Sequence, residues 1–553
     1  ANDWFGWSVT ISGDGKTMAI GAPAESSNAK GVNGDQTSNT SPTSGAVYVF
    51  AKVNGNWQQE AYLKASNTEQ PGDGVSAPIP NPNARFGYQV ALSTDGNTLA
   101  VSAINEDSVS IGVNCDPHNI TYSSSTANSS ISQGYVTKTR NTDIGAVYVF
   151  KRVGVQWTQQ AFIKPLIAYY DDNSNIAYGS SLALSGDGKT LAVGTAIDGT
   201  YGSGIIPANA EGSSSVAFKC LDFSSSSSTS TSSSSSSTST SSSSSSSKTS
   251  STSSSTPGGA NSGAVYIYTL KETGWIEEAF VKASDAGNSD FFGAAITLSS
   301  DGNTLAVGAP SEDSKDSSAN NDTIVIDGVT YNFDNGGVYL FAREDNKWVQ
   351  KSKIKPSNAQ VNQAFGAAVA LSADGKTLAV GTPGDKTKTG GINTDGSNYD
   401  PAESSLHNSG AVYIFAQSDT TWAQQSYIKA SNAIPGVQFG SAVSLSANGN
   451  ILAVGTWLDS SQATGINGDQ LDTGATNAGA AFIFTRSGST WTQKSYVKAP
   501  NTNAEDRFAR SLGLDDTGES LVVGAHREAS NAAGINGDRS NNSAQAAGAA
   551  YVY

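Results

Sequence analysis

The sequence predicts an all-β fold, a seven-bladed β-propeller of four-stranded antiparallel blades in which blade seven lacks its outer strand. Three observations predict it. A phrase of the type Gly-Ala-Val-Tyr-Val-Phe occurs seven times in the 553 residues. A turn followed by an apolar run, of the type Asp-Gly-Lys-Thr-Leu-Ala-Val-Gly, also occurs seven times. An aromatic–small pair precedes each run, so the three phrases form one repeating unit.

Each unit predicts short strands A to D, rich in Val, Ile, Tyr and Phe and separated by Gly, Asp and Asn turns. Strand A follows the aromatic–small pair, which stands at 5–6, 86–87, 178–179, 292–293, 365–366, 439–440 and 508–509. Strand B follows a tight hairpin turn that begins at Asp14, Asp95, Asp187, Asp301, Asp374, Asn448 and Thr517. Strand C is the Gly-Ala-Val-Tyr phrase at 45–50, 145–150, 263–268, 336–341, 410–415, 479–484 and 548–553.

Strand D is predicted only six times, by a Trp that stands seven residues before a Lys. The pairs are Trp57 and Lys64, Trp157 and Lys164, Trp275 and Lys282, Trp348 and Lys355, Trp422 and Lys429, and Trp491 and Lys498. Blade seven therefore has an open edge, and open edges invite pairing with another chain. The alternative is that the sequence is a piece of a longer protein.

The seven repeats form a single domain over residues 1–553. They span about 1–67, 82–166, 175–284, 288–357, 362–431, 436–500 and 505–553. A linear solenoid is the competing architecture. Seven copies without a polar capping repeat favour the closed ring.

The quoted phrases also resemble a known family. Phe5-Gly6, then Gly21-Ala22-Pro23 or Gly308-Ala309-Pro310, then Gly-x-Val-Tyr-x-Phe is similar to the FG-GAP repeat of the integrin α N-terminal propeller. The resemblance implies a propeller and a role in cell adhesion. It does not transfer the calcium residues of that family, because the A–B turns here contain Ser-x-Asp-Gly instead of a DxDxDG-type loop.

Composition limits the function classes. The net charge of −16 argues against nucleic acid as a partner, and no apolar run reaches the 18 residues of a membrane span. The three histidines do not recur with the repeat, and no nucleophile or nucleotide-binding motif is present. We therefore predict a protein that is not an enzyme and has no organic cofactor. A carbohydrate-active enzyme is the weakest alternative.

The B–C loops are the predicted binding surface, because they are long and variable while the A–B and C–D turns are short. They run roughly over 23–44, 104–144, 196–262, 310–335, 383–409, 457–478 and 526–547. We expect an extracellular or cell-surface propeller that binds a protein or glycan ligand through these loops. The alternative is a repeating subunit of a filament or surface layer, self-associating through the edge of blade seven.

An oxygen-ligand pattern recurs in the same loops and suggests Ca²⁺. An acid three residues after strand B is followed by Asn at +8 and Asp at +10 in six repeats. The trios are Glu25, Asn33 and Asp35; Glu106, Asn114 and Asp116; Glu312, Asn320 and Asp322; Asp385, Asn393 and Asp395; Asp459, Asn467 and Asp469; and Glu528, Asn536 and Asp538. An Asx turn explains the spacing equally well.

Three further expectations concern modification. The Ser/Thr-rich tract at 224–256 is either an O-glycosylated stalk or a flexible insertion. Cys115 and Cys220 are either a disulfide between neighbouring loops or two free thiols. N-glycosylation sequons start at Asn39, Asn119, Asn128, Asn321 and Asn541, although several would arise by chance in so Asn- and Ser-rich a chain.

Overall fold

The structure is a computed structural model. It describes residues 1–68, 83–108, 112–114, 143–165, 176–200, 203–207, 259–314, 323–326, 329–332, 334–393 and 408–553. Both cysteines, the Ser/Thr-rich tract and the sequons at 119, 128 and 321 lie outside the described residues. The described residues form seven small antiparallel sheets around a common axis, which confirms the predicted seven-bladed propeller.

Each strand type occupies the predicted phrase. The A strands are β1 (Ser8–Ile11), β5 (Phe86–Leu92), β10 (Ser181–Leu184), β15 (Ala295–Leu298), β21 (Ala368–Leu371), β25 (Ala442–Leu445) and β29 (Phe508–Leu514). The B strands are β2 (Thr17–Ala22), β6 (Thr98–Ala103), β11 (Thr190–Thr195), β16 (Thr304–Ala309), β22 (Thr377–Thr382), β26 (Ile451–Thr456) and β30 (Leu521–Ala525).

The C strands are β3 (Ala46–Val53), β8 (Ala146–Val153), β13 (Ala264–Lys271), β19 (Gly337–Glu344), β23 (Ala411–Ser418), β27 (Ala480–Ser487) and β31 (Ala549–Val552). The D strands are β4 (Asn56–Leu63), β9 (Gln156–Lys164), β14 (Gly274–Val281), β20 (Lys347–Ile354), β24 (Thr421–Ile428) and β28 (Thr490–Val497). Short extra strands in the B–C loops are β7 (Gly112–Val113), β12 (Ile205–Pro207), β17 (Thr323–Ile326) and β18 (Val329–Asn332).

The A–B turn is fixed by its own side chains. In blade one, Ser12 Oγ donates to Asp14 Oδ1 at 2.7 Å, and the Lys16 amide donates to the same oxygen at 3.0 Å. Gly15 takes the left-handed conformation that the turn requires, with φ 67°. Ser-x-Asp-Gly is therefore a hairpin signature, as its sequence predicts.

The A strands line the axis, because each one contacts the A strands of both neighbouring blades. The ring closes where Phe5 pairs with Gly548 in a parallel bridge, the same contact that joins Gly45 to Phe86 between blades one and two. Large side chains fill the spaces between blades. Phe86 packs edge-on against Tyr148, with ring centroids 5.3 Å apart, and is fully buried.

Blade seven has three strands in the order β29-β30-β31, as the sixfold Trp–Lys pattern predicts. Strand C is the outer strand of this blade. Among the described residues, no helix is long and apolar enough to cross a membrane.

Candidate binding site at the mouth of the central channel

The starts of the A strands and the ends of the B strands meet near the axis on one face of the ring. Trp7 immediately precedes β1, and Arg510 is the third residue of β29. Trp457 follows β26, and His526 follows β30. The long B–C loops leave from the same face, so this end of the channel combines rigid strand termini with variable loops.

A cavity of about 520 Å³ opens at this position. Its residues come from blades one, five, six and seven, and they are Trp4, Trp7, Ala367, Pro383, Ser441, Trp457, Arg507, Arg510, His526 and Arg527. The volume lies in the range of small-ligand sites in proteins. Three of the nine arginines of this acidic chain line it, so the cavity is cationic on a protein of negative net charge.

The arginines are held against tryptophan rings. The Arg507 guanidinium lies 4.5 Å from the Trp457 ring centroid, and the Arg510 guanidinium lies 4.8 Å from that of Trp7. Trp4 stacks on Trp7 with centroids 5.3 Å apart. Cation–π contact stabilises a guanidinium without neutralising it. The charge of Arg510 therefore stays available to a ligand, whereas Arg507 also forms an ion pair with Glu505 at 3.4 Å.

The histidine in this cavity is a neutral group. The Trp7 and His526 rings meet edge to face at 5.0 Å. Burial, together with the positive charges of Arg510, Arg527 and Arg507, lowers the pKa of His526 to about 3. Burial also lowers the pKa of Arg510, while its guanidinium remains charged at any physiological pH. The positive charge of the site comes from arginine alone.

Sequence analysis did not identify this site, although a signal for it was present. The residue after the aromatic–small pair is Ser180, Ala294, Ala367 and Ser441 in blades three to six. In the other blades it is Trp7, Tyr88 and Arg510. Two of these three departures from a small residue, Trp7 and Arg510, line the cavity.

Five of the six acids predicted as calcium ligands are buried and ion-paired, and Asp198 of blade three makes the same contact. In each of the first six blades the acid that follows strand B meets the Lys that ends strand D. The pairs are Glu25 with Lys64, Glu106 with Lys164, Asp198 with Lys282, Glu312 with Lys355, Asp385 with Lys429, and Asp459 with Lys498. Apart from Asp198, sequence analysis noted the residues of these pairs but missed their pairing, since paired residues are as much as 84 positions apart in sequence.

These pairs are well desolvated. Lys64 Nζ lies 2.8 Å from Glu25 Oε2 and also donates to Ser44 Oγ at 2.7 Å. Burial lowers the pKa of Lys429. Although burial acts in the opposite direction on Asp385, the charge and hydrogen bond of Lys429 hold the pKa of this carboxyl below its ordinary value. The repeated acid thus anchors strand D of its own blade.

In blades one, two, five and six, the Asn of the trio is also a strand-D contact. In blade one, Asn33 Oδ1 accepts from the Tyr62 amide at 2.9 Å, and the Asn33 amide donates to Tyr62 O at 2.7 Å. Asn114, Asn393 and Asn467 make the same two bonds to Phe162, Tyr427 and Tyr496. The Gly-Val/Ile-Asn phrase therefore extends the sheet at its outer edge.

The last Asp of the trio lies apart from the acid. The exposed Asp35 accepts from the amide and hydroxyl of Thr37, and Asp469 and Asp538 make equivalent local turns. Asp116, Asn320, Asp322 and Asp395 lie outside the described residues. Calcium binding by the trios stays a prediction, as does glycosylation of the exposed Asn39 and Asn541.

Comparisons with known proteins agree with this architecture. A family model described as FG-GAP repeat matches residues 1–50 and 348–415. No curated protein matches the chain.

Solved structures resemble the chain only remotely. A Bacteroides uniformis protein provisionally named a 6-phosphogluconolactonase is 10% identical with a TM-score of 0.42, over 89% of this chain and 85% of the other. The RRP9 WD40 repeats are 8% identical with a TM-score of 0.39, over 94% and 87%. Sqt1 of Saccharomyces cerevisiae is 8% identical with a TM-score of 0.39, over 95% and 81%. Such low identities and TM-scores assign no activity.

Proposed function

This chain is an FG-GAP repeat β-propeller, and from that premise we propose that it acts as a non-enzymatic adhesion module outside the cell. FG-GAP repeats are typical of extracellular proteins, which supports the proposed location. The ligand binds at the mouth of the central channel, where the B–C loops surround the cavity. The ligand class that the cavity favours is a glycan that carries carboxylate or sulfate groups.

The Arg–Trp cavity is the observation that carries this proposal. A guanidinium pairs with a carboxylate through two parallel hydrogen bonds, and Arg507 and Arg510 lie in the same cavity wall. The faces of Trp4, Trp7 and Trp457 offer apolar area to the C–H face of a sugar ring. Together they suit a ligand that is both anionic and ring-shaped.

A glycan array with the purified chain tests the proposal, followed by titration of the best acidic glycan. Arg510→Met is expected to weaken binding about tenfold or more, because it removes one charged hydrogen-bond partner. Arg539→Met is the matched control, since Arg539 is an exposed arginine of blade seven outside the cavity. Because His526 stays neutral, its protonation should not change the affinity between pH 5 and pH 8.

Equal binding by Arg510→Met and the parent chain would exclude the cavity as the site. Selection of neutral glycans only, or of a protein ligand by the B–C loops without involvement of Arg510, would also contradict the proposed ligand class.

A second candidate function is a subunit of an extracellular filament or surface layer. Within the described residues, β31 pairs only with β30, and an edge strand offers backbone groups to a further strand, from this molecule or from a neighbouring one. Light scattering after size exclusion distinguishes the two functions. Defined assemblies support the subunit role, and a monomer at every concentration contradicts it.

A further inference from the structure

Blade four has a side-chain amide beside the lysine of its buried ion pair. Asn335 stands directly before the first glycine of the strand-C phrase and is 0% exposed. Lys355 Nζ donates to Asn335 Oδ1 at 2.5 Å and forms an ion pair with Glu312. The side chains of Lys355 and Glu312 are 5% and 0% exposed. An amine, a carboxamide and a carboxylate therefore meet in the interior of this blade.

The amide is particular to blade four. At the position of Asn335, the five other blades that have a strand-D lysine contain Ser44, Ile144, Ser262, Ser409 and Ala478. In blades one, three and five the lysine donates to the serine hydroxyl, as Lys64 does to Ser44 at 2.7 Å. Because a hydroxyl accepts this hydrogen bond as well as an amide oxygen does, the ion pair itself does not require Asn335.

The nitrogen of the Asn335 side chain has no structural role among the described residues. Nδ2 is buried and has no hydrogen-bond partner there. A buried N–H donor without a partner is destabilising, and folded proteins rarely keep one. Nδ2 is also the atom that leaves when a nucleophile attacks the amide carbon Cγ. The amide is thus held by its oxygen, while its leaving group is unbound.

A second lysine favours the neutral amine of Lys355. Lys353 stands opposite the strand-C tyrosine of blade four, where the other five complete blades have an aromatic residue such as Tyr427. Its Nζ lies 2.8 Å from Glu312 Oε1 and 2.7 Å from Asp285 Oδ2. Although burial acts in the opposite direction, the charge of Glu312 raises the pKa of Lys353. Burial, together with the charge of Lys353, lowers the pKa of Lys355. Lys355 is therefore the more easily deprotonated lysine, and a neutral amine is the nucleophilic form.

Strand C of blade four leaves space for these side chains. It begins at Gly337, where the other six blades have Ala46, Ala146, Ala264, Ala411, Ala480 and Ala549. A Cβ at Gly337 would lie 3.2 Å from Glu312 Oε2 and 3.7 Å from Lys355 Cδ. Blade four therefore departs from the repeat at Asn335, Gly337 and Lys353, and all three departures surround the same Glu–Lys pair.

We propose that Lys355 and Asn335 join in an intramolecular isopeptide bond, with Glu312 as the proton carrier. Lys355 Nζ gives one proton to Glu312, and its lone pair forms a bond to Asn335 Cγ. Glu312 passes this proton to Nδ2, the Cγ–Nδ2 bond breaks, and the nitrogen leaves as ammonia. The ammonia takes the second proton that Nζ loses. One side-chain ammonium and one carboxamide thus become one secondary amide and one ammonium ion, without an oxidant or a cofactor.

The bond ties the end of strand D to the start of strand C. Asn335 precedes β19 and Lys355 follows β20, and the two residues are 20 positions apart in sequence. A cross-link of this kind restricts the unfolded chain, and it keeps the outer strand of blade four attached when the sheet hydrogen bonds open. The cross-link does not depend on the ligand class proposed for the cavity.

Mass spectrometry of a tryptic digest of the full chain tests the proposal. Trypsin cuts after Lys and Arg except before Pro, so Asn335 lies in the peptide 316–343 and Lys355 lies in the peptide 354–376. The two peptides should appear as one joined species, lighter than their sum by the about 17 Da of one ammonia. Separate peptides of full mass would overturn the proposal. A joined species that begins at Ser352 would also overturn it, because it would place the bond on Lys353.

Two variants test the reacting pair. Lys355→Arg keeps a cation beside Glu312, and Asn335→Ser introduces the residue that blades one, three and five have at this position. Both variants should give separate peptides of full mass. Lys429→Arg is the matched control in blade five, where the lysine meets Ser409 instead of an amide, and it should keep the joined species at 335 and 355.

The same variants separate the cross-link from cyclisation of the Asn335–Gly336 backbone, which also releases ammonia. Cyclisation leaves the peptides unjoined, and its mass loss persists in Lys355→Arg, so this result would overturn the proposal. Glu312→Gln tests the proton carrier. It should leave most of the chain unlinked, and a joined species as abundant as in the parent chain would overturn the role of Glu312.

Discussion

At the residue scale, the junction between blades depends on glycine. Gly410 has φ +78°, and a Cβ there would lie 2.0 Å from the carbonyl oxygen of Phe439 in the next blade. The parallel bridge between these two residues brings the backbones into contact. The Gly that begins the strand-C phrase and the Phe that precedes strand A thus form one structural contact, which the spacing of the phrases alone does not reveal.

We predict that Gly410→Ala lowers the free energy of unfolding by about 3 kcal/mol or more, because it combines a strained φ with a backbone clash. Gly436→Ala is the control. Gly436 has nearly the same φ, +80°, but a Cβ at this position would have no atom within 4 Å, so its cost should be about 1 kcal/mol. Urea denaturation measures both values, and equal losses would show that the clash is unimportant.

At the scale of the element, strand D is attached by charge as well as by its backbone. Its terminal Lys reaches under the B–C loop to the acid that follows strand B, as Lys64 reaches Glu25. Breaking a buried pair by neutralising one member leaves the other charge without compensation. Blade seven differs, because Glu528 lacks such a partner among the described residues.

We therefore predict opposite results for the same substitution in two blades. Glu25→Gln should lower the free energy of unfolding by about 3–5 kcal/mol, since Lys64 is left buried and unpaired. Glu528→Gln should be neutral or stabilising, because it removes a buried charge and leaves no cation behind. Chemical denaturation of both variants provides the measurement. A loss in Glu528→Gln as large as that in Glu25→Gln would contradict this account of the pairs.

At the scale of the whole molecule, the ring is closed by contacts between its first and last blades. Phe5 bridges Gly548, and Ser511 Oγ donates to Gly6 O at 2.9 Å across 505 residues of sequence. Blade seven is joined to blade one at the axis through its inner strands.

Calcium binding by the loop trios is a prediction for the whole ring, because the trios recur around one face. Carboxylate and amide oxygens suit Ca²⁺, and a ligand that binds only the folded state raises its stability. We expect millimolar Ca²⁺ to raise the melting temperature and a chelator to lower it. Asp35→Asn and Asp469→Asn should reduce the effect, and identical melting in Ca²⁺ and chelator would reject the sites.

The sequence by itself determined the blade count, the strand order and the missing seventh strand D. These features follow from local phrases, such as the hairpin turn at Asp14 and the Trp57–Lys64 segment, that recur in order and carry the alternation of a strand. The Gly-Val/Ile-Asn phrase of the loops was recognised as a pattern. Its contact with strand D was not, because turns and metal ligands use the same residue types.

Only the tertiary structure decided which distant residues meet. Glu25 and Lys64 become a buried pair because the sheet folds strand D back beneath the B–C loop. Trp7 and Arg510 become neighbours because the ring closes, bringing blade one against blade seven. The second contact depends on closure of the ring, which no local stretch of sequence encodes, and the cationic cavity results from it.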